Sequence, residues 1–169
     1  MFCWCITKYD PKNRDKNRVY LKGEWTEYGD IGKIFEGKEL TYEEYVKVEW
    51  AYIQAVLFFM DCLDINSLKI ISLEQVGKKV QDIDVDGNVI KNNVFYEKEM
   101  VVFIIRSILR YRFWCMLEAE GMRVRFDFDY YMTLGCIMPS ADTIKKIERL
   151  GLFVEKSGLE FLFDELDDN

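Results

Sequence analysis

The sequence predicts an α+β domain: a mostly antiparallel, twisted sheet with about three helices packed on it. Three observations carry this. Thr41 and Glu44 form a capping box at the head of a long run with apolar residues every three or four positions. "MRVRFDFDYY" alternates apolar and polar residues, the mark of a strand with one face buried. "DIDVDGNVI" places Asp86-Gly87 between two alternating segments, the dipeptide that tolerates positive φ in a tight hairpin turn. The 169 residues are 50% apolar, which suits a single domain, 1–169, closing in a short acidic tail at about 164–169.

Along the chain, Phe2, Trp4 and Ile6 alternate with Cys3, Cys5 and Thr7, predicting a strand over residues 2–8. "KYDPKNRDKNR" reads as an exposed loop, and the closely spaced Gly23, Gly29, Gly32 and Gly37 limit residues 20–40 to short strand pieces and turns. The first helix then runs from the capping box to about Asp64. Tyr45, Val48, Tyr52, Val56, Phe59 and Leu63 form one stripe; Trp50, Ile53, Leu57 and Met60 form a second, with Glu43, Lys47, Gln54 and Asp61 at the wet edge. "LKIISLEQV" suits a strand. Residues 95–120 have helical length, with Gly121 placed as a C-terminal stop, and predict a second long helix. The strand over residues 122–131 turns Met122, Val124, Phe126, Phe128 and Tyr130 inward and Arg123, Arg125, Asp127, Asp129 and Tyr131 outward. "MTLGCIM" extends the sheet. Pro139 and Ser140 open a third helix ending at Gly151, and "LFVEK" and "LEFLF" form a last hairpin around Ser157-Gly158.

Composition excludes several function classes. The chain has no histidine, which removes Ser-His and Cys-His nucleophile systems and leaves Cys3 and Cys5 without partners for a zinc site. Five cysteines, an odd number in apolar surroundings, indicate free thiols in a reducing compartment, and a cytoplasmic location is expected. The longest apolar run, "AVLFFM", is far short of the ~20 residues needed to span a bilayer, and no export signal is expected. Net charge is −7, and Glu160, Asp164, Glu165, Asp167 and Asp168 supply five negatives within the last ten residues. Such a chain repels phosphate backbones, so neither nucleic acid nor membrane is an expected partner, whereas a basic protein is.

Two patterns raise the question of a chemical site. Asp82, Asp84, Asp86 and Gly87 match the first, third, fifth and sixth positions of an EF-hand loop, but the twelfth is Asn93 where calcium needs a bidentate carboxylate, so turn chemistry is the stronger reading. On a continuous strand Asp127 and Asp129 would stand roughly 7 Å apart, open to carboxylate chemistry or to recognition. No catalytic residue, metal or cofactor is assigned. A carboxylate-dependent enzyme and a regulatory adaptor with a calcium-responsive hairpin are the alternatives.

"KYDPKNRD", "EWTEYGDIGK", "LTYEEYVKVEWAYI", "FDFDYYM" and "IERLGLFVE", together about half the chain, resemble small bacterial immunity proteins of contact-dependent growth inhibition and related polymorphic toxin systems. The resemblance implies a stoichiometric inhibitor that binds a cognate toxin domain and covers its active site. Many such toxins are nucleases with basic clefts, which this chain's acidity would suit. The partner-binding residues expected are Glu24, Trp25, Glu27, Tyr28 and Asp30 in the "EWTEYGD" loop, Asp127 and Asp129, and Asp164, Glu165, Asp167 and Asp168 in the tail. Against a nuclease stands the stretch from Lys8 to Lys22, with six bases and two acids.

Overall fold

The computed structural model describes residues 1–138 and 140–157. The tail acids Asp164, Glu165, Asp167 and Asp168, the "LEFLF" limb of the last hairpin and Pro139 lie outside the described residues.

The domain is α+β with a mostly antiparallel sheet and three helices. In chain order the sheet strands are β1 (Phe2–Thr7), β4 (Ser67–Gln75), β5 (Lys78–Lys79), β8 (Phe95–Glu97), β9 (Trp114–Ala119), β10 (Met122–Phe126), β11 (Tyr131–Cys136) and β12 (Phe153–Lys156). They pair in the order β12-β1-β11-β10-β9-β4-β5, with β8 also on β4, and every pairing is antiparallel. Two small hairpins stand apart, β2 (Ile34–Phe35) with β3 (Lys38–Glu39), and β6 (Asp82–Val85) with β7 (Asn88–Lys91). Asp86 and Gly87, with φ of 53° and 79°, make the two-residue turn of the second as their chemistry predicts.

Register turns alternation into a core. Trp4, Leu134, Val124, Leu117 and Ile70 lie opposite one another across five strands. This row joins Tyr52, Val56 and Phe59 of α1 (Tyr42–Cys62) in one hydrophobic cluster. Burying a side chain as large as Phe59 stabilises the fold by ~1.5–3 kcal/mol, so the row and the helix stripe fix the layering together. Helix α1 packs on α2 (Lys98–Leu109) and α3 (Ala141–Arg149). The opposite sheet face carries Lys69, Glu118 and Arg123, with Glu118 bridging Lys69 at 3.1 Å and Arg123 at 3.6 Å. Thr41 caps α1 and receives the Glu44 amide at 3.2 Å, while Ser140 caps α3.

Two predicted elements are corrected. Residues 95–120 are not one helix: β8 leads directly into α2, which stops at Leu109, and the chain returns as β9. The stop is a Schellman turn in which Tyr111 occupies the left-handed position usual for glycine, its N–H donating to Ile108 O at 2.9 Å and the Arg112 N–H to Ser107 O at 3.0 Å. Nor is 122–131 a single strand. β10 ends at Phe126, and Asp129 and Tyr130, with φ of 56° and 60°, reverse the chain into β11, which starts at Tyr131. Phe128, expected inside, is therefore outside.

Candidate functional site

Three turns at one end of the sheet surround a cleft of about 620 Å³. Its lining includes Ile108, Leu109, Phe113, Trp114, Phe126 and Tyr130. Each turn presents one apolar side chain to solvent. Val76, between β4 and β5, is 95% exposed; Phe128, between β10 and β11, is 83% exposed; Tyr111, after α2, is 52% exposed. Each turn also holds a side-chain-bearing residue at positive φ: Val76 at 51°, Tyr111 at 56°, Asp129 and Tyr130 at 56° and 60°. A β-branched residue at positive φ is a genuine outlier, and left-handed residues other than glycine cost of order 1 kcal/mol or more each. Non-glycine residues stand at positive φ elsewhere too, Ser72 and Asn93 among them, but these three turns also expose apolar side chains beside one cleft, and that combination marks it as the candidate site.

The strain at Tyr130 is offset by α1. Tyr130 is buried and stacks edge-on against Tyr52 and Tyr45, with ring centroids 5.5 and 6.2 Å away. Its hydroxyl donates to the Tyr45 hydroxyl at 2.6 Å, and its carbonyl accepts from the Tyr52 hydroxyl, which in turn accepts the Lys8 N–H at 2.8 Å. Burial raises the phenols of Tyr45, Tyr52 and Tyr130 well beyond their ordinary range, so all three stay neutral donors. With Tyr130 clamped inward, the reversed turn sends Phe128 out. Trp114 Nε1 donates to Phe126 O at 2.7 Å and fixes the floor.

Charge around the cleft is mostly negative. Glu74 and Asp127 line it. The Tyr111 phenol is pushed up by burial and then by the charges of Asp129, Glu27 and Asp30. Arg112 also lines the cleft but pairs with Asp86 of the β6-β7 turn. Asp127 meets Arg125 at 2.8 Å and accepts from the Thr133 hydroxyl at 3.0 Å. Among the described residues, Glu27, Glu74 and Asp129 stand in none of the twelve ion pairs.

The residues expected from sequence divide into two groups. Glu27, Asp127 and Asp129 are exposed; Asp127 lines the cleft and Asp129 lies in the turn beside it, although Asp127 and Asp129 share no strand and do not form the paired row that alternation suggested. Glu24, Trp25, Tyr28 and Asp30 instead build the loop itself. Glu24 pairs with Lys8 at 3.3 Å and accepts from the Tyr20 hydroxyl. Trp25 packs on Tyr130 and Tyr45, with centroids 4.9 and 5.5 Å apart, and Tyr28 packs on Tyr45 under the Arg110 guanidinium. Asp30 is buried; burial pushes its carboxyl up, but the Lys33 ammonium at 2.7 Å and the amides of Thr26 and Glu27 outweigh that and hold it below the usual range. Val76, Tyr111 and Phe128 were not anticipated. Each sits in a stretch whose apolar character reads as core, and Gly77 is the one turn signal among them.

Comparison with models of known families, with curated proteins and with solved structures finds no match for this chain. No group of three or more metal-ligating side chains exists among the described residues, nor is any of their helices long and apolar enough to cross a membrane. The site thus offers aromatic and aliphatic contact area, rim carboxylates, and a backbone held rigid from behind.

Proposed function

We propose that this chain is an immunity-type inhibitor, a binding protein that neutralises a cognate bacterial toxin domain in the cytoplasm by covering its active site without catalysis. The observation that carries the reading is the convergence of Val76, Tyr111 and Phe128 on one cleft. Exposed apolar side chains gathered around one concavity, with acids beside them, supply the kind of anchors from which a few residues can provide most of the binding energy. The acids at the rim favour a basic partner and raise the encounter rate, which suits a nuclease domain whose active site must attract phosphate. A rigid backbone adds to this, because little freedom is lost on docking.

The test is to express the C-terminal domain encoded by the gene immediately upstream and to purify it with this chain. A complex of one-to-one stoichiometry that abolishes the domain's toxicity is expected. Tyr111→Ala and Phe128→Ala should each weaken the complex about 30-fold or more, the range of an interface hot spot, with melting little changed for the exposed Phe128. An upstream domain that is toxic yet unbound and uninhibited would sink the proposal.

A further inference from the structure

We infer that the cleft receives a lysine or arginine side chain of the partner, its methylene stem lying along the aromatic and aliphatic walls and its charged head meeting the carboxylates of Glu74 and Asp129. The inference rests on the reading that this chain acts by binding a protein, and it specifies what the partner must supply.

Three features of the cleft select this occupant. Its walls are dominated by rings, among them Tyr111, Phe113, Trp114, Phe126 and Phe128, whose faces attract cations as well as apolar groups. Glu74 lines the cleft and Asp129 lies in the turn between the lining residues Phe128 and Tyr130, and neither stands in an ion pair among the described residues. The lining base, Arg112, is already paired with Asp86, and Lys79, opposite Glu74 on β5, is not part of the lining, so among the lining residues the acids Glu74 and Asp127 outnumber the one base. A neutral aliphatic side chain would fill the walls and leave these acids unused, and a carboxylate would be repelled. An amphipathic cation satisfies both parts, since long basic side chains bury their stems while the head stays at a polar edge. The protein holds its own cations in the same manner: Lys8 Nζ lies 4.0 and 4.2 Å from the ring centroids of Tyr9 and Trp25 with Glu24 beside it, and Arg110 lies 5.2 Å from the Tyr28 centroid while chelated by Glu49.

N-butylguanidinium and its neutral isostere N-butylurea are the probes, titrated into the intact ¹⁵N-labelled chain. The expected result is a saturable shift of the Trp114 indole and of the amides of residues 127–131 with the cation, at about tenfold lower concentration than with the urea. Asp129→Asn and Glu74→Gln should each weaken the cation several-fold and leave the urea unchanged. Equal or tighter binding of the urea overturns the inference, as does a shift that never saturates. A toxin complex that is unaffected by Glu74→Gln with Asp129→Asn also overturns it while leaving the inhibitor reading intact. Conversely, a cleft that selects the cation in a chain that fails to bind the upstream domain removes the inhibitor reading alone.

Discussion

Glu49 is the one buried acid on α1, 1% exposed, and it holds α2 through two arginines. Arg110 grips it in a bidentate fork, Nε to Oε1 at 2.6 Å and Nη2 to Oε2 at 2.9 Å, and Arg106 Nε lies 3.4 Å from Oε2. Replacing Glu49 by leucine keeps the volume but leaves the Arg110 charge without its counterpart. Breaking a buried pair from one side costs ~3–5 kcal/mol, and the 18% exposure of the Arg110 side chain and 40% of Arg106 let both turn partly to water, which sets the expectation at about 3 kcal/mol. For a domain of this size that is a fall of about 6–12 °C in melting temperature. The double variant Glu49→Leu with Arg110→Met removes both charges and should return to within ~1 kcal/mol of the parent, because desolvating an ion pair consumes most of what it gains. Urea unfolding followed by tryptophan fluorescence gives both numbers and their coupling. A single variant within ~1 kcal/mol of the parent, or a double variant as unstable as the single, would refute the reasoning.

Val76→Asn should raise stability by ~0.5–1 kcal/mol, since asparagine tolerates the left-handed turn, and should at the same time weaken partner binding; a lower melting temperature would show that Val76 is not strained. Lys8 makes stability depend on pH. Burial, partly opposed by Glu24, holds its ammonium down to about 8 against 10.5 in the unfolded chain, so between those values the unfolded state binds the extra proton and this group's contribution rises with pH, by up to ~3 kcal/mol. The thiols of Cys115 and Cys136, raised by burial, and the buried phenols oppose it from about pH 9 upward, so the measurement is the difference between the parent and Lys8→Met in urea unfolding from pH 7 to 10.5. Parallel curves would show that Lys8 is not desolvated.

Elements with local chemistry were legible. The capping box placed the start of α1 to the residue, Asp86-Gly87 placed its hairpin, and alternation placed β1 and the start of β10, though not its end at Phe126. The failures have more than one cause. Residues 100–117 are apolar in both periods: Cys115 and Leu117 face the core while Met116 is also buried from the other side of the sheet, so the period of two that marks a strand is hidden. The turns at Tyr111 and at Asp129-Tyr130 contain no glycine, proline or asparagine. The first is made by the end of α2 itself, through Ser107 and Ile108, with no residue type that marks a helix stop; the second is imposed by Tyr45 and Tyr52 of α1, which no local window contains. The same holds for the site: its acids could be read as surface groups, but that Phe128 faces solvent depends on a tyrosine clamp from residues about eighty positions away.

The N-terminal strand lies between two strands from the far end of the chain, β1 pairing with β11 on one side and β12 on the other. Its six residues are made before either neighbour, which follows only some 130 to 150 residues later, on the order of ten seconds at ordinary rates of synthesis. Throughout that interval Phe2, Trp4 and Ile6 belong to an unclosed sheet, and closure waits on the most non-local contacts of the topology. Translation that stalls before Cys136 therefore leaves a chain whose first strand has nowhere to go, and it is there that a nascent-chain chaperone would find its binding segment.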